Sequence, residues 1–349
     1  MKTFDELFVD KTRYCVKVQT SEYKESGSYI IIDQGQSKIA GYTDRETGLF
    51  KEVPVIIFGD HTRVIKYVDQ PFYLGADGVK VLRSKDENAN YKYLYYALKN
   101  VIIPDTGYNR HYKWLKEIQI EYPDSNKQAQ IVNILDKVLD VISKRKEELK
   151  ELDNLIKARF VEMFGDPVSN SYGLSEATLP KLGEFGRGVS KHRPRNDPRL
   201  LDGQYPLIQT GDIANAGLYI TSYNSTYSEL GLQQSKMWNK GTLCITIAAN
   251  IAKTAILEFD ACFPDSVVGF VANERTNNIF IHYWFSFFQE MLESQAPESA
   301  QKNINLKILS ELKVIVPEKE MQDEFSDFVR QIDKSKFIVI EGKNYEKHI

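Results

Sequence analysis

Short apolar runs alternate with clusters of Gly, Asp and Asn over two long stretches of the chain, a pattern that predicts β-strands bounded by turns. The predicted strands cover residues 29–32, 53–58, 64–68, 78–82, 243–247, 254–259 and 267–271. Near the end of each stretch an aromatic-rich run predicts a helix, over 91–100 and 281–294, whose rings are expected to pack in a core. The pattern therefore predicts two β-rich globular units.

A much longer helical pattern lies between these two stretches. Residues 124–164 contain no Pro and no Gly, and they predict one helix about 60 Å long. Their apolar residues recur at alternating spacings of four and three, which is typical of a helix that pairs with another helix. The seam positions are Ile131, Leu135, Val138, Ile142, Leu149, Leu152, Ile156 and Met163, with Arg145 and Arg159 at the two remaining positions.

The expected partner is a second helix after Pro317, which carries Phe325, Val329, Ile332 and Val339 at the equivalent positions. This helix runs to Ile349, about 32 residues after Pro317, so the pair is either asymmetric or truncated at its C-terminus. Either the globular units or another subunit must cover the apolar residues of the long helix that lie off the seam. These are Ile134, Leu139, Val141, Leu155, Phe160 and Phe164.

The chain also repeats itself. Pro123 and Gln128 recur as Pro317 and Gln322, at an offset of 194 residues. Residues 72–78 match 263–269 at an offset of 191, and residues 29–35 match 205–211. Offsets that drift are typical of copies that differ in loop length.

Together these patterns predict an α+β fold in which two similar β-rich domains are separated by two long antiparallel coiled-coil helices, as a pseudo-two-fold internal repeat. The predicted boundaries are a first domain over 1–122, a central helix over 123–165, a second domain over 166–316 and a C-terminal helix over 317–349.

Composition narrows the class of protein. The 349 residues are 42% hydrophobic and 27% charged, which is typical of a soluble chain of about two domains. No run is long and apolar enough to span a membrane, and the N-terminus lacks the pattern of a signal peptide. Three widely spaced cysteines, Cys15, Cys244 and Cys262, favour a reducing cytoplasm. The net charge of −3 excludes a polycation, but binding to phosphates needs only a local basic surface.

Sequence motifs of a catalytic centre are missing. An adenine methyltransferase carries Asn-Pro-Pro-aromatic or Asp-Pro-Pro-aromatic, whereas Asp166-Pro167 here lacks the second proline and the aromatic residue. Neither a Gly-x-x-x-x-Gly-Lys phosphate loop nor a nuclease pattern after Asp265 is present. The histidines lack metal-ligand spacing: His61, His111, His192, His282 and His348. We therefore expect no catalytic residue and no metal site.

Polar loops at matching places in both copies are the candidates for DNA contact, because Arg, Lys, Asn and Gln read base edges and hold phosphates. One pair of loops contains His61, Thr62 and Arg63 in the first copy, and Asn250 and Lys253 in the second. The other pair contains Tyr108, Asn109, Arg110, His111 and Lys113, and then Gln301, Lys302 and Asn303.

A basic run without a counterpart in the first copy adds Lys191, His192, Arg193 and Arg195, within residues 181–199, which hold six basic residues against two acidic ones. Other polar loops add Lys38, Tyr42, Tyr223 and Asn224. For each single residue, an ordinary solvated loop is the competing interpretation.

Several runs resemble the specificity subunits of Type I restriction–modification enzymes, over nearly the whole chain. The run Ile118-Gln119-Ile120-Glu121-Tyr122-Pro123, with Gln128-Ala129-Gln130-Ile131 and Leu135-Asp136, is similar to the family's entry into its central helix. So are residues 157–167 at the far end of that helix and, at the second junction, residues 314–317 with Gln322 and Phe325. Residues 205–213 resemble the opening of a target-recognition domain.

The resemblance implies that each globular unit reads one half of a bipartite site in double-stranded DNA. It implies that the paired helices set the gap between the halves and dock two methyltransferase subunits, which bind S-adenosylmethionine and methylate adenine, and that restriction subunits can join. The chain itself is then non-catalytic and binds no cofactor. Three alternatives stay open: an enzyme with a diverged centre, a coiled-coil scaffold, and an orphan or truncated specificity subunit that acts as a DNA-binding module or recombination cassette.

Overall fold

Strands and helices alternate along the chain, which falls into a first unit, Met1–Ser143, and a second unit, Lys144–Ile349. The computed structural model describes residues 1–75, 78–107, 109–248, 251–295 and 306–344, and the side chains of these except 290–295 and 337–344.

The strands of the first unit are β1 (Lys2–Thr3), β2 (Phe8–Asp10), β3 (Tyr29–Ile32), β4 (Gly41–Thr43), β5 (Val55–Gly59), β6 (Ile65–Val68), β7 (Phe72–Leu74), β8 (Val79–Ser84) and β9 (Gln119–Ile120). Its helices are α1 (Phe4–Leu7), α2 (Tyr91–Lys99), α3 (Tyr112–Lys116) and the first part of α4 (Ser125–Phe164). The caps follow the sequence: the Asn90 side chain accepts the Tyr93 amide at 3.1 Å and so begins α2.

Strand β5 is the centre of the first unit because it is buried on both faces. The sheet order is β2-β8-β5-β6, and β5 pairs antiparallel with both neighbours. Side chains alternate along a strand, so Ile56 and Phe58 pack with Leu94 and Leu98 of α2, while Ile57 faces the second sheet, β4-β3-β7. This two-sided burial explains the unbroken apolar run in the sequence.

The strands of the second unit are β10 (Glu176–Thr178), β11 (Gly183–Arg187), β12 (Leu201–Leu207), β13 (Tyr219–Ile220), β14 (Ser225–Tyr227), β15 (Met237–Trp238), β16 (Leu243–Thr246), β17 (Thr254–Leu257), β18 (Ala261–Cys262), β19 (Val267–Ala272) and β20 (Lys313–Ile315). Its helices are the rest of α4, then α5 (Thr210–Asn215), α6 (Glu229–Gln233), α7 (Asn278–Gln295), α8 (Leu306–Glu311) and α9 (Lys319–Asn344).

The topology of the second unit repeats that of the first, which confirms the predicted duplication. The order β11-β19-β16-β17 matches β2-β8-β5-β6, and β14-β12-β18 matches β4-β3-β7. The parallel pairing of β3 with β7 recurs between β12 and β18, and the antiparallel pair β1–β9 recurs as β10–β20. The second unit adds β13 and β15 at two sheet edges.

One predicted offset between the copies is wrong. Residue identities suggested 191 between residues 72–78 and 263–269, but strand pairing gives a smaller value. Gly59 of β5 lies opposite Val79, and Thr246 of β16 lies opposite Val267, so the offset there is 267 − 79 = 188. The backbone ladder fixes which residues are equivalent, whereas matching side chains in this region occur out of register.

The same hydrogen bond from a glutamine side chain is found at the start of the long helix in each copy. Gln128 Nε2 donates to the Pro123 carbonyl at 2.8 Å, and Gln322 Nε2 donates to the Pro317 carbonyl at 2.9 Å. Both glutamine side chains are buried, so each bond gives a buried amide donor a partner within the protein. The offset of 194 seen in the sequence is therefore confirmed in the structure.

Within the second unit, α4 and α9 pack side by side in antiparallel directions. Arg159 bonds Glu324 at 2.9 Å, and Lys336 bonds Asp153, so the chain numbers rise along one helix as they fall along the other. Ile156 of α4 and Phe325 and Val329 of α9 are fully buried in one cluster, against which Ile332 packs. Val339 is a predicted seam residue whose side chain lies outside the described part.

The heptad seam is only partly what the sequence predicted. Phe160 and Phe164, assigned to positions off the seam, are fully buried against Phe280 and Phe325. Aromatic side chains are long enough to reach the core of the unit, so the buried stripe follows a spacing of four from Ile156. Other predicted seam residues are half-buried: Leu135, Val138, Ile142, Leu149 and Leu152.

The start of α4 packs against the core of the first unit. Ile131, a predicted seam residue, packs with Val132 against the cluster that contains Leu94 and Leu98. Asp136 accepts hydrogen bonds at 2.5 Å from both Lys92 and Tyr96 of α2. These bonds, Lys92 first, lower the pKa of the Asp136 carboxyl.

We expect His282 to make the second unit acid-sensitive. Burial, and then repulsion from Lys336, lowers the pKa of His282 to about 4, whereas an unfolded histidine has a pKa of about 6.5. Between pH 6.5 and pH 4 this histidine binds a proton in the unfolded chain but not in the folded unit. The free energy of unfolding is therefore highest above pH 6.5 and falls as the pH is lowered towards 4. The slope should be about 1.4 kcal/mol per pH unit, measured by urea unfolding. His282→Gln should remove this part of the slope, and an unchanged slope would contradict the assignment.

Candidate nucleic-acid interface

In the first unit, the turn between β5 and β6 positions the first group of candidates. The Gly59 amide donates to the Val64 carbonyl at 2.8 Å, and Arg63 closes the turn with a φ of 59°, a left-handed conformation. The exposed Thr62 hydroxyl donates to the Gln34 carbonyl at 2.6 Å, and the amide of the half-buried His61 donates to Oε1 of the Gln34 side chain at 3.2 Å. Two hydrogen bonds to Gln34 therefore fix the conformation of the turn.

Arg63 joins this turn to the next candidate loop. Its guanidinium donates to the Ile103 carbonyl at 3.4 Å and to the Asp105 carboxylate at 2.7 Å. The Gly107 amide, and then Arg63, lowers the pKa of Asp105, so the ion pair persists at neutral pH. Arg63 is thus engaged within the protein and presents only part of its charge to a ligand.

His111 is buried, and this corrects its prediction as a DNA contact. It is 1% exposed, its Nδ1 lies 3.0 Å from the Asp60 carbonyl, and its Nε2 lies 3.3 Å from the Thr106 hydroxyl. The Tyr112 amide also donates to Asp60, at 2.7 Å. The sequence alone does not distinguish a polar residue that faces solvent from one whose side chain holds the loop in place. His111 is of the second kind.

The exposed members of this loop are Asn109, Arg110 and Lys113. The Asn109 side chain donates to the Thr106 carbonyl, which shapes the loop. The Lys113 ammonium lies 4.8 Å from the centre of the Trp114 ring, and Arg110 extends from the loop beside the buried His111. Tyr108 lies outside the described residues. Together with Thr62, these side chains form a polar, basic rim that we call the first-unit rim.

The second unit has the equivalent turn, two residues longer. Thr246 donates to the Lys253 carbonyl at 2.9 Å, as Gly59 does to Val64, and Ala252 takes a φ of 58° at the place of Arg63. Lys253 is therefore the counterpart of Val64, and Ala252 is the counterpart of Arg63. It is half-buried, and Asn250 lies outside the described residues.

The basic run of the second unit is largely tied to two carboxylates. Arg195 bonds Asp265, with Arg193 3.7 Å from the same carboxylate, and His192 Nε2 lies 2.9 Å from Asp197. Bonds from the Arg199 side chain and amide hold the pKa of Asp197 well below its usual range. Lys191, exposed, has its backbone held by Gln234. The run keeps exposed hydrogen-bond donors, but Asp265 and Asp197 offset part of its positive charge.

The remaining candidates vary in exposure. Tyr223 is exposed and its ring contacts Phe259, while the Asn224 side chain donates to Asp212 at 2.8 Å. Tyr42 lies in β4 and packs against the core, so its assignment to a polar loop is wrong. Gln301, Lys302 and Asn303 lie outside the described residues.

Lys38 lines a groove of about 710 Å³ that was not predicted from the amino-acid sequence. The groove runs beside β6 and is also lined by Gln36, Lys66 and, from α2, Tyr95 and Lys99. Burial lowers the pKa of Lys66, which donates to the Ser37 carbonyl at 2.6 Å. No sequence signal marks this groove, because its cations come from a loop, a strand and a helix end that only folding brings together.

In the described part of the chain, no three His, Cys, Asp or Glu side chains are grouped as metal ligands would be. Nor does any described helix have the length and apolar character to cross a membrane.

Comparison with known proteins gives the family. A family model described as "Type I restriction modification DNA specificity domain" matches residues 2–153 and 176–346, once for each copy. The specificity subunit of the Escherichia coli Type I restriction enzyme EcoR124I/EcoR124II is 24% identical over 95% of this chain and 85% of its own length. A putative MjaX specificity subunit from Methanocaldococcus jannaschii is 21% identical over 67% of this chain and 56% of its own length.

Two solved structures share the fold. The S subunit of a Type I restriction–modification system from M. genitalium aligns over 99% of this chain and 91% of its own, with a TM-score of 0.59 and 17% identity. A chain from a study of complex assembly and conformational transition of the type I R-M system aligns over 100% of this chain and 95% of its own, with a TM-score of 0.55 and 14% identity. With two family matches that follow the two repeated units, this chain belongs to the family of Type I restriction–modification DNA specificity subunits.

Proposed function

We propose that each unit of this specificity subunit reads one half of a bipartite site in double-stranded DNA, and that α4 and α9 set the distance between the halves. The observation that supports this most directly is the repeat itself: two sheets of the same strand order, each followed by a long helix that begins with the same buried glutamine bond. Two similar reading heads on one chain suit a site with two separated halves.

Assembly follows from the same proposal. Two methyltransferase subunits dock on the helices, bind S-adenosylmethionine and methylate adenine, and restriction subunits can join the complex. Apolar side chains of α4 that remain exposed, Ile134, Leu139, Val141 and Leu155, provide contact surface for such subunits. The cytoplasm, where the DNA is, is the proposed compartment, and the free thiols of Cys15, Cys244 and Cys262 are compatible with it.

For the first unit, the proposed DNA contacts are the exposed Thr62, Asn109, Arg110 and Lys113 of the first-unit rim, with Tyr108 beside them in sequence. Lys38, in the groove that reaches Thr62, stays a candidate contact at the edge of this surface. His61 and Arg63 support the rim, and His111 fastens it. For the second unit they are Lys191, Arg193, Arg195, Tyr223, Asn224 and Lys253, with Asn250, Gln301, Lys302 and Asn303. His192 positions the basic run through Asp197.

Replacing Arg110 by Ala should weaken specific DNA binding about 10- to 100-fold, the loss expected for one well-placed arginine. Arg110 is exposed, so the substitution should leave folding unchanged. The measurement is the fluorescence anisotropy of a labelled duplex carrying the methylated site, titrated with the complex of this chain and its methyltransferase subunit, at several salt concentrations.

The matched control is Arg45→Ala, an exposed arginine of the same unit whose side chain reaches the Lys17 carbonyl at 3.5 Å, away from the rim. Its DNA affinity should stay within about twofold of the native value. Equal affinities for native and Arg110→Ala proteins, with the same salt dependence, would remove the first-unit rim from the DNA interface.

A further inference from the structure

The two units differ at one edge of their central sheets. In the second unit, β13 lies beside β17 and runs parallel to it. The Leu218 carbonyl accepts the Ile256 amide at 2.9 Å, and the Ile220 carbonyl accepts the Glu258 amide at 3.2 Å. The outer edge of β17 is therefore covered by a strand of the same chain.

In the first unit the equivalent strand, β6, is the last of its sheet, and no strand of the described residues lies beyond it. Matching the two turns from Val64 and Lys253 places Tyr67 where Ile256 lies in the second unit. Gly59 and Val64 are hydrogen-bonded, and antiparallel ladders use alternate residues, so the amide and carbonyl of Tyr67 point away from β5. An edge of this kind is a template for a further strand.

The groove of about 710 Å³ runs along this open edge. Val64, Ile65 and Tyr67 line it together with Lys38 and Lys99, and none of its described lining residues is acidic. One end of the groove reaches Thr62 and Arg63, so it adjoins the first-unit rim. Among the described residues, Lys38 and Lys99 form no ion pair, and the Lys99 ammonium lies 5.6 Å from the centre of the Tyr95 ring. Arg63 and Lys66, which also line the groove, are paired with Asp105 and Asp33. The groove thus combines an open strand edge with the positive charge of Lys38 and Lys99.

We propose that this groove binds an extended, acidic segment of a partner protein, which adds a strand parallel to β6 as β13 does to β17. Main-chain hydrogen bonds supply the affinity of such strand addition, and the side chains that line the groove supply the specificity. In the second unit, Ile220 of the added strand packs in an apolar cluster, so the edge of β17 binds an aliphatic strand. In the first unit, Lys38 and Lys99 line the groove, so we expect the edge of β6 to bind a segment with carboxylates at its ends.

An apolar contact is available as well. Ile102 lies between Val101 and Ile103, which both line the groove, and its side chain is 92% exposed. A single exposed isoleucine is ordinary, but next to an open sheet edge it offers a place for one apolar residue of the incoming segment.

The test uses the full chain and a defined probe, a fluorescein-labelled peptide that contains residues 217–221 of this chain, Gly-Leu-Tyr-Ile-Thr, flanked on each side by three glutamates. Anisotropy titration should give a Kd of about 10⁻⁵ to 10⁻⁴ M. Proline at the positions of Leu218 and Ile220 removes amides that the parallel ladder needs, so this control peptide should not bind measurably. Saturating probe should slow hydrogen exchange at the Tyr67 amide about tenfold or more.

Charge reversal tests the partner's chemistry. The double variant Lys38→Glu with Lys99→Glu should weaken probe binding about tenfold or more, while Lys51→Glu, an exposed lysine of the same unit outside the groove, should leave it unchanged. The proposal is overturned if the probe fails to bind at about 1 mM, roughly ten times the weakest Kd expected, or if the proline peptide binds equally well. It is also overturned if a DNA duplex, in place of the probe, protects the Tyr67 amide, because the groove would then be part of the DNA surface.

Discussion

Replacing Phe160 by Ala should destabilise the second unit by about 3–5 kcal/mol, the usual cost of truncating a buried Phe. Phe160 is fully buried, and its ring centre lies 5.0–5.4 Å from those of Phe164, Phe280, Phe287 and Phe325. Because α4, α7 and α9 all contribute to this cluster, the cavity would loosen the packing of both long helices. For a unit of this size the melting temperature should fall by about 10 °C, measured by calorimetry.

The matched control is Leu155→Ala, on the same helix but 47% exposed. It should cost less than about 1 kcal/mol, since little apolar area leaves the core. Hydrogen exchange of the α9 amides gives a second readout, because the loss should appear there and not in the first unit. Equal melting temperatures for Phe160→Ala and the native protein would show that the aromatic cluster does not hold α4 against α9.

Replacing Gln322 by Leu should cost about 2–4 kcal/mol, because each buried polar group left without a partner costs about 1–3 kcal/mol. The Gln322 side chain donates to the carbonyls of Pro317 and Arg275 at 2.9 and 3.0 Å and accepts from the Thr276 hydroxyl at 2.8 Å. Leucine fills a similar volume, so the effect isolates hydrogen bonding from packing. Urea unfolding is the measurement.

The exposed Gln331 of the same helix is the control, and Gln331→Leu should change the free energy of unfolding by less than about 0.5 kcal/mol. Gln128→Leu should fall between the two, because the buried Gln128 bonds the Pro123 carbonyl in the first copy. A loss for Gln322→Leu no larger than that of Gln331→Leu would mean that the junction is held by packing alone.

The sequence predicted those parts of the fold that carry a strong periodic signal. The apolar run at β5, the proline-free stretch of α4 and the recurrence of Gln128 as Gln322 all led to elements that the structure confirms. Strands of two residues, such as β13 and β15, were not predicted, because two residues carry no period. Phe160 was placed off the seam because a heptad describes two helices and not a helix that also packs on a globular core.

The candidate site was harder to predict, since sequence gives the polarity of a loop but not its direction. Arg110 and His111 are neighbours and equally polar, yet one is exposed and the other is buried against Asp60. Lys99 gave no signal, because a lysine at the end of a helix is ordinary until β6 is seen to lie open beside it. Pairing of Arg195 with Asp265 joins residues 70 positions apart and likewise needs the fold.

The proposed function requires that the two units read two half-sites independently. The most direct test is to replace residues 176–315, from the start of β10 to the end of β20, by those of another specificity subunit, and to map methylated adenines in DNA from cells that also make the methyltransferase subunit. We expect one half of the methylated site to change while the other half and the spacing stay the same. A change in both halves, or a single uninterrupted site for the native protein, would contradict the account.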